Sequence, residues 1–180
     1  PPNPPMPPFT PAQTFSVSFT ITSSDTDGVG ASTTRKVNTP GTYTVVINQV
    51  SNFCNTDFET PIIPATANPS LINESLVPCW DTTASDGVIE MWPLGFEGVT
   101  AYSGNQLIEL NGNFPGTLFQ DFNVIPGTSI DVSFAHRGRQ GNDVVGVEIG
   151  PIGGPYVSLG NFSDGNTAWG LHSVNYTIPM

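Results

Sequence analysis

Phe15, Val17, Phe19 and Ile21 alternate with Ser16, Ser18, Thr20 and Thr22, the two-residue period of a strand with one buried face. Two further strands are predicted over 31–37 and 42–50, the second opened by the Pro40-Gly41 turn. Beyond residue 54, apolar alternation and β-branched runs predict strands over 88–92, 105–111, 117–125, 128–137, 143–150, 155–159 and 171–178. They are separated by turns such as Asn111-Gly112-Asn113, Pro126-Gly127 and 138–142. On the strand ending at Arg137, Ile130, Val132, Phe134 and His136 share one face, which sends His136 inward and Arg137 outward. Short strands at this spacing predict an all-β fold, an antiparallel β-sandwich or jelly roll.

Composition agrees: 19 Gly, 18 Pro and 11% charged residues in 180 describe strands and turns, with almost no helix. Residues 1–13 are too rich in proline for helix or central strand and read as an extended linker. The predicted organisation is a linker over 1–13, a small N-terminal β element over 14–53 and a larger β unit over 54–180. The stretch Asn38-Thr39-Pro40-Gly41-Thr42-Tyr43-Thr44-Val45, with Cys54 after it, resembles the closing hairpin of PKD-like and other immunoglobulin-like repeats. At about 40 residues that element is a remnant of such a repeat, or its strands pair elsewhere. The chain opens at Pro1, and residues 173–178 read as an unfinished strand, so we read it as a segment of a longer exported protein.

Asp25 and Asp27 cancel Arg35 and Lys36, so the whole net charge of −11 falls on residues 54–180, where Arg137 and Arg139 are the only Lys or Arg. Such a field repels polyanions, which argues against nucleic acid binding. No apolar run approaches the roughly 20 residues of a membrane helix. Carboxylates in excess suit a solvated surface and also Ca²⁺. Asp25-Thr26-Asp27-Gly28 starts like a calcium loop but lacks the later bidentate Glu, and reads as a turn. Cys54 and Cys79 are the only cysteines. A disulfide between them is expected, closing a loop of about 26 residues; the rival, a reactive thiol, needs a base, and His136 and His172 are the only histidines.

Asn55-x-x-Phe58-Glu59, Val77-Pro78-Cys79-Trp80, Val88-Ile89-Glu90-Met91-Trp92, the run from Gly104 to Asn111, Leu118-Phe119-Gln120 and Ile125-Pro126-Gly127 occur in that order. Together they resemble the galactose-binding-like β-sandwich of secreted carbohydrate-binding modules, over about residues 54–178. The strand running into Ser133-Phe134-Ala135-His136-Arg137-Gly138-Arg139 is similar to modules of large surface proteins of Bacteroidota. The usual final strand of the family is absent or incomplete in the pattern. The resemblance implies a structural calcium ion with Glu59 as first ligand and Asp57 or Asp164 as helpers. The plain alternative is that Glu59 caps a turn.

Sugar recognition by such a fold sets aromatic faces against the ring, and amides, carboxylates or arginines against the hydroxyls. Trp92 and Tyr102 flank the loop 93–101 and Trp169 lies in the polar loop 160–170, so these three are expected on a rim. Arg137 and Arg139 would grip a carboxylate or diol, or else form structural ion pairs with the surrounding acids. Glu90, Glu109, Glu148 and Asp143 are candidate carboxylates for glycoside hydrolysis, but spacing alone does not pair any two of them. No nucleophile elbow or phosphate loop occurs. The expected function is that of a non-catalytic, secreted or cell-surface module that binds a polysaccharide or glycan surface, or acts as an adhesin. The alternative is a structural subunit of an extracellular filament, appendage or virion, whose Pro-rich arm and strand 15–22 pair with neighbouring copies.

Overall fold

The computed structural model describes residues 13–21 and 29–33 as backbone strands, and all of 53–180. The Pro-rich stretch 1–12, the turn at 25–28 and the strand expected over 42–50 lie outside the described residues. In chain order the strands are β1 (Gln13–Ile21), β2 (Val29–Thr33), β3 (Ser70–Asn73), β4 (Asp81–Thr82), β5 (Val88–Pro93), β6 (Gln106–Glu109), β7 (Thr117–Val124), β8 (Ser129–Gly138), β9 (Asp143–Pro151), β10 (Val157–Asp164) and β11 (Gly170–Thr177). Among the described residues, helix is confined to 3-10 turns at Glu74–Leu76 and Phe96–Gly98.

The strands form a five-stranded sheet in the order β10-β9-β1-β7-β4 and a six-stranded sheet in the order β11-β8-β2-β6-β5-β3. Every pairing is antiparallel. The sheets share one hydrophobic core: Leu118, Phe122, Val124, Val145, Val147 and Ile149 come from the first, and Ile89, Met91, Ile108 and Phe134 from the second. These are the inward positions of alternating strands, and each side chain of this size contributes about 1.5–3 kcal/mol when buried.

The first strands do not stand apart from the rest. β1 is paired along its length with β7 on one side and β9 on the other, and β2 lies between β6 and β8. The division expected at residue 53/54 therefore runs through both sheets.

Cys54 and Cys79 are joined in a disulfide, with their Cα atoms 6.0 Å apart. Trp80, next to the bridge, is buried against Phe53 and Phe58, and its Nε1 donates to the Asn55 carbonyl. Two buried glutamines fasten this region to the sheets. The Gln120 side chain accepts from Cys54 N and donates to Cys54 O. The Gln106 side chain accepts from Ile63 N and donates to the carbonyls of Phe58 and Pro61. Each satisfies backbone groups that would otherwise be buried unpaired.

Candidate functional site

Strand register builds a transverse row across the outer face of the six-stranded sheet. Glu90 of β5 lies opposite Glu109 of β6, Glu109 opposite Gly30 of β2, and Gly30 opposite Arg137 of β8. Glycine carries no side chain, so the row has a gap between Glu109 and Arg137. Trp92, Val99, Leu107, Glu109, Arg137, Gly138 and Arg139 line a small cleft at this place.

Glu109 is the unusual member. It is 3% exposed, and neither carboxyl oxygen has a hydrogen-bond partner. Its nearest opposite charge is Arg139, whose Nη1 stands 3.7 Å from Oε1. Burial pushes the Glu109 carboxyl up to about 8; Arg139 pulls it down, while Glu90, Glu97 and Asp143 push it further up. Near neutral pH Glu109 therefore holds its proton and can offer an O–H to a ligand atom.

Arg139 is held over this acid by two contacts. Its guanidinium lies over the Trp92 ring, 4.9 Å from the centroid, and it pairs in forked geometry with Glu97, Nη2 standing 3.0 Å and 3.1 Å from the two oxygens. Trp92 departs from its expected place on a rim. It is 2% exposed, its ring meets the edge of Phe96, and its Nε1 donates to Glu90 Oε1 at 2.7 Å. The loop 93–101 folds back over the ring, because a side chain of this size contributes more buried than solvated. Trp92 is thus floor and not platform.

The remaining predicted residues do gather beside the cleft. Arg137 lies over Trp169, 5.8 Å from the centroid, and donates from Nη2 to the Asn166 carbonyl. Trp169 is half-buried, donates from Nε1 to the Thr100 carbonyl, and meets Tyr102 edge-on at 6.3 Å. Tyr102 is 41% exposed. The loops 99–103 and 166–169 therefore close on each other and leave Tyr102 and part of Trp169 facing solvent.

The three carboxylates named for calcium are not brought together. Glu59 Oε1 accepts from the backbone N–H groups of Asn105 and Gln106, and Asp57 Oδ1 accepts from Glu59 N. A carboxylate faced by N–H donors is in an anion's environment, not a cation's, so Glu59 fits the turn-capping alternative. Gly104, at φ 73°, makes room for it: a Cβ there would stand 2.2 Å from Glu59 Oε1.

Asp164 sits elsewhere, at the end of β10. Its Oδ2 is 2.7 Å from His136 Nδ1 and 2.7 Å from His172 Nε2. His136 is fully buried, as its place on β8 predicts, and burial lowers its pKa against the opposing pull of Asp164. The ring is therefore neutral, with its hydrogen on Nδ1, donated to Asp164. Burial alone would raise Asp164, but the hydrogen bonds from the two imidazoles outweigh it and hold the carboxyl below its ordinary value. Sequence reading missed this cluster because its residues are 28 and 8 positions apart. The inward phase of His136 was the one available sign.

No protein-family model matches the chain, and neither does any curated protein or solved structure. No helix among the described residues is long and apolar enough to cross a membrane.

Proposed function

We propose that the chain is a non-catalytic recognition module of an exported protein that binds a polysaccharide across the outer face of the six-stranded sheet. One observation carries the reading: Glu109, buried and without hydrogen-bond partners, lines a cleft between the two arginines of this region. A polar group left unpaired in this way costs about 1–3 kcal/mol unless something meets it, and a sugar hydroxyl can accept from the protonated acid. Tyr102 and the open part of Trp169 supply apolar area beside it, and Arg137 supplies donors. The cleft is small, about 10 Å³, so it takes one hydroxyl or one water while the rest of the sugar lies across the rim. The disulfide suits an oxidising compartment, which supports a secreted or surface-exposed setting.

Affinity electrophoresis through gels containing plant and microbial polysaccharides tests this. Retention is expected in at least one, without release of reducing sugar. Trp169→Ala should weaken it by roughly tenfold, the loss of about 1.4 kcal/mol of stacking. Retention unchanged in both Trp169→Ala and Tyr102→Ala would remove this face from consideration, and sugar release would overturn the non-catalytic reading.

A second reading, a structural subunit, draws on the position of β1. It is a strand near the start of the described chain, following a Pro-rich stretch, and it fills the slot between β7 and β9. The same slot accepts the equivalent strand of a neighbouring copy. Light scattering that shows dimers or chains growing with concentration would favour this reading; a monomer at all concentrations would reject it.

A further inference from the structure

We propose that His136, Asp164 and His172 form a binding site for one divalent transition-metal ion of the zinc class, clasping the two sheets together at one edge. The site is distinct from the sugar-binding face, because alternation sends His136 and Arg137 to opposite faces of β8.

Three strands supply the donors, and they belong to both sheets. Asp164 ends β10 at the edge of the five-stranded sheet, while His136 and His172 lie on β8 and β11 at the edge of the six-stranded one. One donor atom from each converges so that all lie within 4.8 Å of one another, and among the described residues this is the one such group of three metal-capable side chains. Two imidazole nitrogens and a carboxylate oxygen are the donors preferred by Zn²⁺, Cu²⁺ and Ni²⁺, whereas calcium calls for an oxygen cage.

The surroundings keep the donors aimed at a common point. Gly170 faces the carboxylate so closely that a Cβ there would stand 1.9 Å from Asp164 Oδ1 and 3.0 Å from His172 Nε2. Gly138 N donates to the Gly165 carbonyl and anchors the turn that follows Asp164. The His172 ring packs against Phe134 and Phe162 at 5.3 Å and 4.8 Å, which fixes its orientation. The side chains of Asp164 and His172 remain 14% and 22% exposed, so an ion can enter from solvent and keep a water as its fourth ligand.

Proton bookkeeping is simple. In the metal-free state each ring donates the hydrogen of its inward nitrogen to Asp164 Oδ2. On binding, the ion takes the place of those hydrogens, and each ring carries its single hydrogen on the other nitrogen, Nε2 of His136 and Nδ1 of His172. His136 Nε2 has no hydrogen-bond partner that this shift would break. Asp164 is already ionised, its carboxyl being held below its ordinary value.

Isothermal titration of the untagged, metal-stripped chain with ZnCl₂ tests the proposal, with CaCl₂ as control and Co²⁺ absorption to report the donor set. Expected are one Zn²⁺ per chain, a rise in melting temperature of several degrees, no response to Ca²⁺, and Co²⁺ bands of a four- or five-coordinate nitrogen–oxygen site. His172→Ala and Asp164→Asn should each weaken binding by at least tenfold. Circular dichroism and melting in EDTA will show that both variants fold, and His172 is preferred to the fully buried His136 for that reason. Absence of Zn²⁺ binding by the native chain, or binding that both folded variants retain unchanged, would overturn the proposal.

Discussion

Glu109→Gln is expected to flatten the dependence of stability on pH between about 4.5 and 8. In the native chain the Glu109 carboxyl is raised from 4.5 to about 8, chiefly by burial. Between those values the folded state holds a proton that the unfolded state has released, so unfolding gives up a proton and stability falls as pH rises. The slope for one such group is at most about 1.4 kcal/mol per pH unit, and the loss accumulates across the window. Below pH 4.5 both states are protonated and this contribution is complete; above 8 both are ionised and it is gone. Glutamine does not titrate, so urea midpoints of the variant should vary less with pH than those of the native chain. Parallel curves for the two would mean that Glu109 is ionised when folded, and would also withdraw the O–H donor assigned to it in sugar recognition.

Opening the disulfide is the second large effect. The Cys54→Ser/Cys79→Ser double variant frees a loop whose ends are 25 positions apart, and the chain-entropy model puts the loss at about 3.5 kcal/mol. For a unit of this size that lowers the melting temperature by roughly 10 °C. Urea unfolding of the variant, and of the native chain with and without reductant, measures it. The loss is not expected to be total, because Gln120 still holds both backbone groups of Cys54 and Trp80 remains in the core. Equal midpoints would show that those contacts fix the loop without the bond.

The all-β class was legible because strand alternation is a local signal. β5 to β9 and β11 lie close to where the two-residue period puts them, whereas β10, expected over 155–159, runs Val157–Asp164 into the stretch read as a polar loop. β3 and β4 were not found: four and two residues long, they are too short for alternation to register, and they are strands only because β5 and β7 pair with them. Register is where sequence reading ran out. Nothing local states that Glu90 faces Glu109 or that β1 and β2 lie between strands far along the chain, since those facts belong to pairings across many residues. Arg137 and Arg139 were legible as the cations of an acidic region, and their stacking on Trp169 and Trp92 answers the question of what holds them. The burial of Trp92 was not legible, because it depends on where the loop 93–101 folds. Asp164 was named beside Glu59 and Asp57, but the side chains that meet it are two histidines from another sheet.

The central position of β1 has a consequence for how the molecule comes into being. During synthesis this strand is made more than 90 residues before β7 and β9, the two neighbours it joins. Neither sheet can close until β7, β8 and β9 have left the ribosome, so the nascent chain carries β1 and β2 unmatched across that interval.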